Sequence, residues 1–316
     1  MAATRGNLAS WTGEAGDAAA ARAQLTALLP VLERVLGPEH PDTLTARHAL
    51  ASWTQLAGDA AAARDQLTAL LPVLERVSGP EHPATLIARE ELARLTGEAG
   101  DPAAARELFA ALLPVLERVF GPEHPRTLTA RANLAGWTGS AGDASGARDL
   151  FAALLPVRVR VLGPEHPDTL AIRQWIAGWT GEAGDPAAAR DQLVALLSVR
   201  VRNLGPEHPD TLTARYELAR WIGEAGDPAA ARDQLVALLP VLEQVFGLEH
   251  YRTLRARYEL ARWIGEAGDP AAARDQLAEL LPVLEQVFGL EHYRTLRARY
   301  ELARWSGRAD GGPGTA

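Results

Sequence analysis

Apolar residues return along this chain every third or fourth position, and the spacing restarts every 42 residues. In LTARHALASWT (44–54), Leu50 and Trp53 fall on one side of a helix, with Leu44 and Ala46 near it. Alanine and leucine dominate, and no segment alternates with period two over a strand's length. One period therefore predicts two helices. The first runs from about Pro41 to Thr54. The second carries AAARDQLTALLPVLERV to Gly79, about 18 residues or about 27 Å long.

The helix ends carry their own signals. Pro41 suits a first turn, where a missing N–H does no harm, and Asp42 faces the positive end of the helix dipole. The first helix stops at the turn ending in Gly58, and the Asp59 carboxylate is placed to cap the second. Pro102, Pro186, Pro228 and Pro270 follow the equivalent aspartates and complete that pattern. Gly79 reads as a left-handed terminator. Pro72 and its counterparts Pro30, Pro114, Pro156, Pro240 and Pro282 sit inside the second helix, each removing one helical hydrogen bond.

Gly37, Gly79, Gly121, Gly163, Gly205, Gly247 and Gly289 mark the repeat, as do Trp11, Trp53, Leu95, Trp137, Trp179, Trp221, Trp263 and Trp305. Residues 214–255 and 256–297 differ only at Val236/Ala278 and Ala237/Glu279, the mark of a recent duplication. Neither helix can bury its apolar stripe alone, whereas stacked neighbours can. The expected fold is all-α: a right-handed superhelical solenoid of antiparallel helix pairs, about seven and a half repeats over residues 1–307. Residues 308–316, RADGGPGTA, read as a disordered tail.

Composition narrows the chemistry. The 316 residues include no cysteine, which excludes disulfides and thiol sites. A net charge of −8 argues against wholesale nucleic-acid binding. No apolar stretch is long enough to span a membrane and the N-terminus has no signal-like core, so a cytoplasmic protein with no membrane partner is expected.

The junction LGPEHPDTL (36–44) recurs at 162–170 and 204–212, and each copy sets a histidine beside an acid. His40, His82, His124, His166, His208, His250 and His292 are spread one per repeat, whereas metal ligands must converge on one ion. A structural role at the helix start is the better reading. No phosphate loop, HExxH or GxSxG pattern occurs. No catalytic residue, metal site or cofactor is expected.

The whole pattern resembles the tetratricopeptide repeat, in the 42-residue form of kinesin light chains, and is similar to sensor arrays of actinobacterial signalling ATPases. Leu50-Ala51 fills the family's Leu-Gly slot, Gly58-Asp59 its turn, and Ala63 and Leu67 its Ala-x3-Phe slot; Phe109 reads as lying beside that slot. Arg47 and its equivalents hold the family's Trp slot, and Thr54 replaces its Tyr. The resemblance implies a protein- or peptide-binding scaffold whose first helices line a concave groove. A sensor or autoinhibitory arm of a larger signalling ATPase or transcriptional regulator, and self-assembly through the solenoid ends, are the alternatives.

Arg47 and Arg64 recur with their equivalents and are expected to tie neighbouring repeats together. Binding residues are sought where repeats differ. The groove candidates are Tyr216 with Arg220, Arg255 with Tyr258 and Arg262, and Arg297 with Tyr300 and Arg304. This Tyr/Arg ladder suits an acidic or phosphorylated peptide, since arginine binds such anions bidentately. The competing reading is a neutralised surface, because Glu217, Glu259 and Glu301 precede those arginines by three and Glu224 and Glu266 follow the first two by four.

Overall fold

A computed structural model describes residues 11–13 and 15–309. Of the tail expected over 308–316, Arg308 and Ala309 instead continue the last helix, and residues 310–316 lie outside the described residues. Every regular element among the described residues is a helix, in the paired arrangement that the periodicity predicts. The chain divides between Val157 and Arg158 into two compact halves. The first half contains α1 (Ala18–Leu36), α2 (Pro41–Leu56), α3 (Ala60–Val77), α4 (Pro83–Glu98), α5 (Pro102–Phe120) and α6 (Pro125–Ser140). The division falls within α7 (Ala144–Leu162). The second half contains α8 (Pro167–Glu182), α9 (Pro186–Leu204), α10 (Pro209–Glu224), α11 (Pro228–Phe246), α12 (Tyr251–Glu266), α13 (Pro270–Phe288) and α14 (Tyr293–Ala309). Within each half, consecutive helices pack on one another, and the first helix of one repeat also touches the first helix of the next.

The junction segment now has a residue-by-residue account. Gly37 ends α1 with φ 99° and ψ 157°. This is an extended positive-φ conformation open essentially to glycine alone, not the left-handed helical turn expected from the sequence. His40 Nδ1 accepts the N–H of Asp42 at 3.2 Å, and the other six junction histidines cap their helices in the same way. That bond needs Nδ1 to be an acceptor, so the imidazole proton sits on Nε2. Thr43 is fully buried and its hydroxyl donates to the Gly37 carbonyl at 2.9 Å. Thr85, Thr127, Thr253 and Thr295 repeat this bond. Leu44 then enters the core.

The second helices begin as their sequences predict. Asp59 Oδ1 accepts the Ala62 N–H at 3.1 Å, and Asp17, Asp101, Asp143, Asp185, Asp227 and Asp269 act likewise. Each such cap is worth about 1 kcal/mol. Ala63, Leu67, Leu70 and Leu74 form the buried stripe of α3. Phe109 and Phe151, 42 and 84 residues after Leu67, occupy its slot rather than lying beside it, and both are buried. Pro72, Pro114 and Pro240 all face solvent, where the carbonyl freed by each ring can bind water.

The arginines divide into two kinds. Arg47 reaches Glu33 in the preceding helix at 2.6 Å, and Arg89–Glu75, Arg131–Glu117 and Arg299–Glu285 match it, so this series does tie repeats together. The Arg64 series does not. Arg64 pairs with the adjacent Asp65 on its own exposed helix, as Arg148 does with Asp149 and Arg232 with Asp233. Instead the junction glutamates reach across: Glu39 binds Arg76, Glu81 binds Arg118 and Glu165 binds Arg202.

Successive first helices also meet through a tryptophan packed on a glycine. A Cβ on Gly223 would lie 2.6 Å from the indole of Trp263, and one on Gly265 would lie 2.6 Å from Trp305. Gly13, Gly97 and Gly181 are seated in the same way under Trp53, Trp137 and Trp221. The pair spans 40 residues. Where the glycine is replaced, by Gln55, the tryptophan 40 residues later is also replaced, by Leu95. Gln55 turns to accept from Arg94 at 2.6 Å. Gly223→Ala should therefore cost about 1–3 kcal/mol through overpacking. Adding Trp263→Leu should cost less in that background than in the parent, a coupling that thermal or urea melts of the double-mutant cycle will measure.

A repeated cleft as the candidate functional site

Each pair of successive first helices, floored by the second helix between them, can form a cleft. In the first half Leu44, Thr45, His48, Leu74, Ala84 and Ile87 line one of about 190 Å³. In the second half, Leu212, Thr213, Tyr216, Leu242, Tyr251, Arg252 and Arg255 line one of about 90 Å³. Adding 42 to each number gives Leu254, Arg255, Tyr258, Leu284, Tyr293, Arg294 and Arg297, which line the next, of about 340 Å³. Arg220 and Glu259 complete that lining. One site thus recurs along the array with a changing lining.

Other repeats fill the same positions with polar and charged groups that pair across the cleft. Glu90 Oε2 lies 3.5 Å from Arg126 Nη1, and the neighbouring Glu91 lies 3.0 Å from His48 Nε2. Burial pushes the Glu90 carboxyl up to about 7, against the opposing pull of Arg126. Arg200 stands where Leu74, Leu242 and Leu284 stand in their repeats, and is 3% exposed. Its guanidinium donates to the Asp210 carbonyl at 2.7 Å and to the Gln174 side chain. Burial lowers its pKa. Arg158, one repeat earlier, is also buried and pairs with Asp168 at 3.2 Å. Sequence reasoning missed both. The signal was present: an arginine at a position where the other repeats place leucine.

The predicted ladder is partly rearranged. Tyr216 and Tyr258 are buried, and Tyr300 is 69% exposed. Each buried tyrosine is covered by an arginine from the next repeat: Arg255 lies 4.4 Å from the Tyr216 ring centre and Arg297 lies 5.2 Å from that of Tyr258. Arg220, Arg262 and Arg304 do not stack on the tyrosines four residues before them. They stack on the adjacent Trp221, Trp263 and Trp305 at 4.4–4.5 Å. The same three arginines bind Glu182, Glu224 and Glu266 of the preceding first helix at 2.6–3.0 Å. Glu224 and Glu266 therefore serve the next repeat rather than the arginines four residues before them. The intrahelical pairs with Glu217, Glu259 and Glu301 also form, at 3.1–3.7 Å.

Of the eight candidates, Tyr216 and Arg255 meet in the smaller cleft, and Arg220, Arg255, Tyr258 and Arg297 in the larger. Arg262, Tyr300 and Arg304 line neither. Arg252, Arg294, Tyr251 and Tyr293, from the altered junction FGLEHYRTL, join instead. His250 stacks on Phe246 at 4.8 Å and lies tilted against Tyr251 at 4.6 Å, at the cleft edge. Glu259, 4% exposed, is the one carboxylate in the larger lining; burial raises its pKa and Arg262, at 3.4 Å, opposes this. Burial likewise pushes the Tyr258 phenol up to about 12.

The raised Glu90 carboxyl yields a pH prediction. A carboxyl whose folded-state pKa exceeds its unfolded value favours folding fully at low pH and loses that contribution as pH rises toward 7. Glu90→Gln should therefore be more stable than the parent at pH 8, by about 2–3 kcal/mol, with the advantage vanishing near pH 4. Calorimetry across that range checks it.

The comparisons with known proteins agree with this architecture. Tetratricopeptide repeat profiles match residues 1–76, 53–117, 98–157 and 169–210. A search of curated proteins finds no match. Among solved structures, a putative kinesin light chain from Podosopora anserina with nearly identical tetratricopeptide-like repeats is 25% identical, with a TM-score of 0.54. The match covers 66% of this chain and 99% of that one. A tetratricopeptide repeat protein from Parabacteroides merdae covers 96% of this chain and 97% of its own at 15% identity, with a TM-score of 0.68. A Rap protein complexed with competence and sporulation factor shares 11% identity over 98% of both chains, with a TM-score of 0.55. Among the described residues no helix is long and apolar enough to cross a membrane. With profiles matched over more than half its length, the chain belongs to the tetratricopeptide repeat family.

Proposed function

We propose that this protein is a non-catalytic scaffold that binds an acidic segment of a partner protein in its second half, along the cleft formed by α12, α13 and α14. One observation carries the reading. The first-helix positions that hold Thr45, Ala84 and Ile87 in an early cleft hold Arg255, Arg294 and Arg297 in this one, around the same leucine floor. Scaffolding alone does not call for that change, since the early cleft packs without it. A cleft of about 340 Å³ lies in the size range of ligand sites and accepts one side chain of a bound segment.

The charge arrangement separates stacking from binding. Arg220, Arg262 and Arg304 are committed to glutamates of the preceding repeat, so their reversal would disturb the array itself. Arg294 and Arg297 are the appropriate test. Their double substitution to glutamate should weaken an aspartate- and glutamate-rich peptide by about 10-fold or more, as measured by fluorescence anisotropy. Arg232→Glu, on the exposed face of α11, should leave binding unchanged. Equal affinity of parent and double variant would refute the site.

A further inference from the structure

We infer that the cleft between α12, α13 and α14 is built for a doubly charged anion, the phosphoryl group of a phosphorylated side chain. The inference deepens the peptide-binding reading and rests on it for the source of that group. A charge count comes first. Four guanidiniums and one carboxylate line the cleft. Arg220 is matched by Glu182 at 2.6 Å and Arg255 by Glu217 at 3.1 Å, while Arg262, already bound to Glu224 at 3.0 Å, also lies 3.4 Å from Glu259, so that carboxylate draws on the cleft arginines as well. Among the described residues Arg294 and Arg297 have no carboxylate within 4.0 Å, and Arg297 acts on Glu259 from beyond that distance. The cleft keeps a net positive charge and two guanidiniums free of a direct ion pair, which suits a group with several anionic oxygens; a phosphate monoester carries about −1.5 to −2 near neutral pH where a carboxylate carries one.

The geometry of those two arginines favours the same ligand. Arg294 lies 5.1 Å from the Phe288 ring centre and 5.2 Å from that of Tyr293, and Arg297 lies 5.2 Å from that of Tyr258. Contacts with ring faces occupy the flat sides of a guanidinium and leave its N–H edge for bidentate bonding to phosphate oxygens. A third donor is present. The Tyr258 hydroxyl is buried with no hydrogen-bond partner, on a side chain only 7% exposed that lines the cleft. An unsatisfied buried hydroxyl is costly unless a ligand completes it. The sister cleft one repeat earlier has the same design at about 90 Å³, with Arg255 already held by Glu217.

The test uses the whole chain and titrates phenyl phosphate, then short alanine–glutamate peptides whose central residue is phosphotyrosine, phosphoserine or glutamate. The phosphorylated peptides should bind about 10-fold tighter than the glutamate peptide. Arg294→Gln with Arg297→Gln should remove that preference, Tyr258→Phe should reduce it, and Arg252→Gln in the sister cleft should leave it intact. Arg297→Lys, which keeps the charge but not the fork, guards against misfolding of the double variant and should weaken phosphate more than carboxylate. Equal affinity for phosphate and glutamate would overturn the inference while leaving an acidic-peptide scaffold standing. Phenyl phosphate binding that the double variant abolishes would uphold the phosphoryl site even if no acidic peptide bound.

Discussion

A tryptophan seated on a glycine of the preceding repeat sets the spacing on which the rest of this structure depends. The indole of Trp263 leaves no room for a Cβ at Gly223, so the two first helices approach as closely as a bare backbone permits. That approach brings Arg262 within reach of Glu224 and lets Arg255 cover Tyr216. It also bounds the two second-half clefts, since α10 and α12 flank the smaller and α12 and α14 the larger, each pair joined by a Trp–Gly seat. Interiors are close-packed, so a change of one methyl group at the seat would propagate to every contact across that boundary. The joint replacement at Gln55 and Leu95 shows one boundary built by another solution, in which a smaller apolar side chain accompanies a larger polar one.

The polar layer divides into structural and available groups. Junction histidines, threonines and glutamates recur because every repeat must end one helix, cap the next and reach its neighbour. The Arg47 series belongs with them. The cleft positions are free of that duty and change freely: Glu90 with Arg126, Gln174 with Arg200, and then tyrosine with arginine. In the first two cases the polar groups answer each other. In the larger cleft the aromatic rings align two guanidiniums without neutralising them, which is why chemistry is sought there rather than at the repeated histidines.

Much of this was legible in the residues. Asp59 followed by a helical run, Pro41 after a histidine, and glycine at a fixed offset are local signals, and local backbone physics decides them. The candidates Tyr216, Arg220, Arg255, Tyr258 and Arg297 were reachable by asking where repeats differ, and they line the second-half clefts. Arg294 and Tyr293 were not, because they belong to the junction and the start of the helix, which only the fold brings to the cleft. Helical spacing also placed Arg220 beside Tyr216, yet the guanidinium turns to Trp221 and Glu182. An arginine can reach several partners, and only the neighbouring repeat decides among them.

The sequence by itself determined the helices, their ends, the 42-residue period and the all-helical stacking, since each follows from periodicity and capping within one repeat. The tertiary structure decided which charges are matched. Glu182 and Arg220 are 38 residues apart, and Tyr258 and Arg297 are 39 apart. Their meeting depends on how closely one repeat stacks on the next, which the Trp–Gly seat controls and no local pattern encodes. The two cleft arginines without a direct ion pair, Arg294 and Arg297, are set apart only by those contacts across repeats.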